Sequence, residues 1–153
     1  MPTPDGNPRV LFLCTGNSCR SQMAEGWANH LHAGALEACS AGTSPHGLNP
    51  MAVRAMAEVG IDISHHRSNT IEDNDPETLD LVVTVCGHAH ETCPVFPGSA
   101  RVMHKSFDDP PRLAVEAESD DEAMGHYRRV RDEIRAFVQT LPESIGAHVQ
   151  NHA

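Results

Sequence analysis

Eight consecutive residues hold the first concentration of chemistry in the chain: Cys14-Thr15-Gly16-Asn17-Ser18-Cys19-Arg20-Ser21. They lie between an apolar run suited to a buried strand and a pattern suited to a helix. Gly16 permits a tight turn, so that successive amides can converge into an anion-binding nest. A helix N-terminus directly after the turn adds unpaired N–H donors and partial positive charge. A thiol there is expected to be acidified, because donors that hold an oxyanion also stabilise a thiolate. Arg20 supplies a planar fork for two oxyanion oxygens, and Ser21 is placed to donate a hydrogen bond to the Cys14 thiolate. The expected cradle is Thr15, Gly16, Asn17, Ser18, Cys19 and Arg20, with Cys14 as nucleophile. A cysteine followed by an arginine at this spacing is common by chance; the strand, glycine and helix around it make it specific. The bland alternative is a buried strand-end cysteine and a surface arginine. Cys19 reads as a small residue filling the loop.

A second thiol cluster is Cys86-Gly87-His88-Ala89-His90-Glu91-Thr92-Cys93. It follows another strong apolar strand pattern. If the two strands are parallel neighbours, their C-terminal ends share the sheet edge at which ligands bind, and Cys86 approaches Cys14. In an intact helix Cys86 and Cys93 would be separated by about 10.5 Å, whereas a disulfide needs α-carbons within about 7 Å. Bonding the two therefore requires a loop, or a helix that unwinds, which Gly87 makes cheap. Two other readings stay open. Cys86, His88, His90 and Cys93 are four candidate zinc ligands, although structural zinc sites draw paired ligands from two segments; alternatively, both cysteines are inert core residues.

Phe107-Asp108-Asp109-Pro110-Pro111 is a turn signal carrying two carboxylates. By itself it reads as a solvated turn. Beside a transferred oxyanion, an aspartic acid on a loop can protonate the departing oxygen, and Asp109 is the candidate.

The elements that must position these groups follow from periodicity. Arg9 to Cys14 and Leu79 to Val85 are buried strand patterns, Leu36 to Ala41 is a weaker one, and Arg101 to His104 a short last one. A helix opens at Ser21 with Ala24, Trp27 and Leu31 on one face, and another at Asn49-Pro50, stopping at Gly60. Ser119 and Glu122 have capping-box spacing. Beyond them Tyr127, Val130, Ile134, Phe137 and Leu141 recur at helical intervals until Pro142. Alternating strands and helices indicate a parallel α/β sheet. One domain over residues 1–153 is expected, with its core at about 9–141 and a frayed tail at 142–153. The balance of 11 basic and 21 acidic residues, −10 in all, with Lys105 the only lysine, excludes a general nucleic-acid binder. No basic start with an apolar run is seen in Met1 to Asn7, and no stretch reaches the ~20 apolar residues of a membrane span. The expectation is a soluble cytoplasmic monomer. Five cysteines without a secretory signal favour thiol chemistry or metal binding over a disulfide scaffold.

The run Leu11 to Trp27 resembles the thioredoxin-coupled arsenate reductases, which share the fold of low-molecular-weight protein tyrosine phosphatases. The likeness continues through Ser40-Ala41-Gly42, His46-Gly47, Asn49-Pro50, Ile61-Asp62-Ile63-Ser64, the Cys86/Cys93 spacing, Phe107-Asp108-Asp109-Pro110 and Arg129 to Ile134. It implies a three-layer sandwich around a four-stranded parallel sheet. It also implies a mechanism: Cys14 attacks arsenate, Asp109 protonates the departing oxygen, Cys86 attacks Cys14 to release arsenite, and Cys93 attacks Cys86 to leave an outward Cys86–Cys93 disulfide for thioredoxin. No bound cofactor is implied beyond a potassium ion held by some members. Asn17, Glu25 and Ser40 match that site, but Arg67 and Asn69 stand where a threonine and an aspartate are found. The loss of a carboxylate weakens cation binding, so potassium is not expected to be required, and Arg67 is expected to stand in part for the cation. Lys105 replaces a tryptophan, while Cys39 and the acidic stretch 116–122 are read as structural. The rival readings are a tyrosine phosphatase using Cys14, Arg20 and Asp109 alone, and a non-enzymatic thiol or metal sensor. Against the first, the acid loop lacks ring-stacking tyrosines. Weak phosphatase activity is expected in any case.

Overall fold

The computed structural model describes residues 8–45, 47–86 and 100–141. Strands β1 (Arg9–Cys14), β2 (Glu37–Gly42), β3 (Leu81–Thr84) and β4 (Arg101–His104) form one sheet in the order β2-β1-β3-β4. All three pairings are parallel. Val10, Leu11, Phe12 and Leu13 have no exposed surface, and all of β3 is buried. Side chains alternate between faces, so both faces of these central strands are covered, as their unbroken apolar runs require. The edge strand β4 is mostly exposed.

Helix α1 (Arg20–Leu31) packs on β1 and β2, and Trp27 ties it to the last helix by donating from Nε1 to Arg131 O at 3.0 Å. Helix α2 (Pro50–Ala57) starts as read: Asn49 Oδ1 accepts from the Met51 and Ala52 amides, and Pro50 takes the first position, where no N–H is needed. It ends before Gly60, whose φ of +83° turns the chain away. Helix α4 (Asp120–Val138) is capped by Ser119 Oγ, which accepts from Glu122 N at 3.0 Å. The return bond of the expected box lands one residue early, Glu122 Oε2 accepting from Glu118 N. Tyr127, Val130, Ile134, Val138 and Leu141 are buried, and Phe137 partly so.

Three sequence expectations are corrected. The third strand is shorter than Leu79 to Val85, because a 3-10 turn at Pro76–Thr78 leads into it. A second 3-10 turn at Glu72–Asn74 was not anticipated. Pro110–Ala114 is a short helix, α3, where only a turn was expected; with Asp109 at its N-cap, proline is a helix starter there and not a breaker. The tail 142–153, His46 and residues 87–99 lie outside the described residues, so the expected fraying and the Cys93, His88 and His90 positions do too.

Candidate active site

Cys14 is the last residue of β1, and Arg20 the first of α1. Between them the loop turns sharply, but the left-handed residue is Asn17, at φ +50°, and not Gly16. Asparagine tolerates this region better than other side chains, and its surroundings fix it there. Asn17 Nδ2 donates to Ser21 Oγ at 2.9 Å, and Asn17 Oδ1 accepts from Asn69 N at 2.6 Å. The Asn17 carbonyl accepts from Gln22 Nε2 at 3.0 Å and Ser68 Oγ at 2.8 Å. Ser21 therefore holds the loop through Asn17, and the expected bond to the Cys14 thiol is not formed.

The end of β2 supports the loop from beneath. Thr43 N donates to Cys14 O at 3.1 Å and Ser44 N to Thr15 O at 2.8 Å. Gly42 passes so close that a β-carbon on it would sit 2.6 Å from Thr15 O and 2.9 Å from Asn17 N. Among the described residues, no protein acceptor faces the N–H groups of Gly16, Asn17, Ser18 or Cys19. Four such amides in one tight loop are the kind of arrangement that makes an anion-binding nest.

Because β1 and β3 are hydrogen-bonded neighbours, Cys86, two residues past β3, reaches Cys14. The Cys86 sulfur is near enough to act directly on the Cys14 thiol, and Thr15 Oγ1 lies 3.4 Å from Cys86 Sγ. Both residues are about 95% buried, at 5% and 4% exposure. Arg20 Nη1 donates to Phe107 O at 3.0 Å, while Nη2 lies 3.6 Å from Asp109 Oδ1. Arg20 Nε is buried without a partner among the described residues. Asp109 occupies the N-cap of α3, yet its carboxylate caps no amide there; it faces Arg20 instead. Cys14, Cys19, Arg20, Cys86 and Asp109 all line one cavity of about 750 Å³, with Leu48 and Asn49 among the remaining walls.

Residues 9–151 match the family model described as low molecular weight phosphotyrosine protein phosphatase. The chain belongs to that phosphatase family. Among its curated relatives is the arsenate reductase of Bacillus subtilis, 49% identical over 138 residues, covering 90% of this chain and 97% of that one. A solved arsenate reductase in the phosphate-binding state superposes with a TM-score of 0.72 at 32% identity, covering 90% of this chain and 98% of the other. A thioredoxin-dependent arsenate reductase of Corynebacterium glutamicum gives a TM-score of 0.67 at 26% identity, covering 93% of this chain and 63% of that one.

In this phosphatase-family site the electrostatics differ from the expected acidified thiol. The hydrogen-bonded Cys86 sulfur and burial push Cys14 well above the ordinary thiol value; Arg20 and the Thr15 amide pull the other way and are outweighed. Two adjacent sulfurs disfavour each other's ionisation in a buried site. Burial likewise pushes up Cys19, against the pull of Arg20.

The residues matched to the potassium site are hydrogen-bonded to protein partners. Glu25 Oε1 accepts from Ser40 Oγ at 2.7 Å, and Glu25 Oε2 lies 3.3 Å from His66 Nε2. Asn17 Oδ1 is taken by Asn69 N. Burial pushes the Glu25 carboxyl up and the His66 imidazole down, so this contact joins groups driven towards their neutral forms. Arg67 is exposed and offers its carbonyl to Gln22 and Asn69; the nitrogen beside Glu25 belongs to His66. The expected substitution of Arg67 for the cation is thus incorrect, because the backbone there turns Arg67 outward.

Sequence reasoning missed Gly42, Ser68 and Asn69 as supports of the loop, and Thr15 as a neighbour of Cys86. The first had a signal in a glycine closing a strand. The others are non-local contacts without a local pattern.

Proposed function

We propose that this protein reduces arsenate to arsenite by a thiol relay from Cys14 to Cys86 to Cys93, and that thioredoxin resets it. The observation that carries the reading is the Cys14–Cys86 contact inside the cavity that also holds Arg20 and Asp109. A phosphatase needs only the nucleophile, the clamp and the acid. A second buried thiol against the nucleophile is what reduction adds.

Arsenate bound in the loop supplies acceptors to the Gly16–Cys19 amides and to Arg20 Nε, donors without a partner among the described residues. Its approach requires Cys14 as thiolate, and the same donors lower the cost of that charge. Cys14 Sγ attacks arsenic, and Asp109 gives the departing oxygen its proton, so that water leaves. Cys86 Sγ, as thiolate, attacks Cys14 Sγ; the S–As bond breaks, its electron pair reduces As(V) to As(III), and a Cys14–Cys86 disulfide remains. Cys93 Sγ then attacks Cys86 Sγ and frees Cys14 as thiolate. The dithiol of thioredoxin reduces the Cys86–Cys93 disulfide by exchange. Relatives named arsenate reductase at up to 49% identity support the substrate, and a thioredoxin-dependent relative supports the reductant.

The chain is read as a cytoplasmic monomer with no required potassium and no resident cofactor; no described helix is long and apolar enough to cross a membrane. Phosphate shares the shape and charge of arsenate, so slow hydrolysis of small aryl phosphates is a side activity. The test couples the protein to thioredoxin, thioredoxin reductase and NADPH. Arsenate-dependent NADPH oxidation is expected, and Cys14→Ser, Cys86→Ser or Cys93→Ser should each abolish it. Phosphatase activity should vanish only in Cys14→Ser. A Cys86→Ser protein that still turns over arsenate would end the relay.

A further inference from the structure

The acid Asp109 sits on a short connection between β4 and α3, where nothing in its own capping geometry holds the carboxylate: α3 is only five residues long, and Asp109's side chain accepts no hydrogen bond from its amides. The connection is nonetheless tied at three points. Phe107 is 8% exposed, stacks edge-to-face on Phe137 at 6.0 Å, and donates from its amide to Val85 O at 3.2 Å. The Phe107 carbonyl receives Arg20 Nη1. The third tie is remote. Arg129 on α4 donates from Nη2 to Asp108 Oδ2 at 2.9 Å and from Nη1 to Glu133 Oε2 at 2.9 Å. One planar guanidinium is thus fixed on its own helix by a carboxylate one turn away and reaches across to the residue beside the acid.

We propose that Arg129 is a positioning residue for the general acid: by holding Asp108 against α4 it keeps Asp109 at the mouth of the cavity, within reach of the departing oxygen. This rests on the role given to Asp109 above. As a stabilising contact the pair is minor, since both side chains are largely exposed, at 43% and 64%, and such surface pairs contribute little. Its value lies in direction. With Arg20 Nη2 3.6 Å from Asp109 on one side and Arg129 on Asp108 on the other, the two neighbouring carboxylates are drawn to opposite partners. Without Arg129, Asp108 is a second carboxylate free to compete for Arg20, and the acid loses its place.

The test compares Arg129→Gln, Asp109→Asn and the double variant on phenyl phosphate, whose leaving group needs a proton, and on p-nitrophenyl phosphate, whose leaving group needs it far less. Arg129→Gln is expected to lower kcat/KM for phenyl phosphate roughly tenfold and for p-nitrophenyl phosphate less than about threefold, the size of loss a displaced acid produces. Inhibition by inorganic phosphate should be unchanged, because the cradle is intact. Adding Arg129→Gln to Asp109→Asn should cost nothing further. A deficit equal on both esters, one that adds to that of Asp109→Asn, or none at all overturns the proposal. If the unaltered protein hydrolyses neither ester, the phosphatase side activity is lost but the positioning role is still decided. The rate of arsenate-driven thiol loss in one turnover without thioredoxin must then fall in Arg129→Gln, with no added fall on Asp109→Asn, and any other result overturns it.

Discussion

Asn17 and Gly42 show how much of the proposed anion cradle is held in shape by contacts other than its loop amides. Asn17 adopts a left-handed conformation that costs about 1 kcal/mol or more for a non-glycine residue, and it is held there by a hydrogen bond to Ser21 and three from Gln22, Ser68 and Asn69. Gly42 leaves no room for a methyl group against Thr15 O. Gly42→Ala is therefore expected to lower stability by about 1–3 kcal/mol, as overpacking does. It should also weaken inhibition by phosphate, since the backbone that must move is the cradle itself. Urea denaturation and phosphate titration check both; a stable protein with unaltered phosphate affinity would refute the close approach. Ser21→Ala leaves Asn17 Nδ2 buried without its acceptor, at an expected cost of about 1–3 kcal/mol. If Ser21 instead served the thiol, its removal would change Cys14 alkylation without a comparable loss in denaturant midpoint.

Helices α2 and α4 are joined by one carboxylate. Glu58, at the C-terminal end of α2, accepts from Arg128 Nε and Nη2, each at 2.9 Å, and from Arg131 Nη1 at 3.0 Å, while Arg131 also donates to Ala55 O. The hydrogen bonds from Arg128 foremost, with those from Arg131, hold Glu58 down at about 2, against an ordinary 4.5. A depressed carboxyl contributes stability that is fully present above its unfolded value and lost as pH falls through its folded value. Glu58→Gln should thus cost roughly 1 kcal/mol at neutral pH, an amount discounted for a group one-third exposed. The difference from the unaltered protein should shrink between pH 4.5 and about 2. Denaturant midpoints at pH 7 and pH 3 measure it. An undiminished difference at pH 3 would mean that charge is not what Glu58 contributes.

At the scale of the whole molecule, the parallel sheet sets two thiols from distant segments at one edge, and the relay becomes a property of topology. Treating the reduced protein with arsenate in the absence of thioredoxin should produce a Cys86–Cys93 crosslink, read by mass spectrometry of the digested protein. A crosslink confined to Cys14–Cys86 would stop the relay one step short. The occupied ligands around Glu25 give a second expectation: replacing sodium with potassium at fixed ionic strength should leave the Tm of the reduced protein within about 1 °C, since only an ion that binds the folded state raises it. A clear rise would show that Glu25 releases Ser40 or His66 to take the ion.

The residue types between Cys14 and Ser21 determined the chemistry, because a nest, a thiol and a guanidinium within one turn are local features. So were the buried strands at Val10 and Val82, written as unbroken apolar runs, and the helix starts at Asn49 and Ser119, where a cap precedes the pattern. Local order could not assign the positive φ to Asn17 over Gly16, since the choice was made by Ser68 and Asn69, which are distant in sequence. It could not place His66 instead of Arg67 beside Glu25, nor foresee that Cys86 would raise the Cys14 thiol and not leave it acidic. Pairing of β1 with β3 brought those sulfurs together, and the Cys86 sulfur, with burial at the sheet edge, raised the proton affinity of Cys14. Chain spacing names the groups that can react; the packing of segments far apart in sequence decides which of them meet, and in what dielectric.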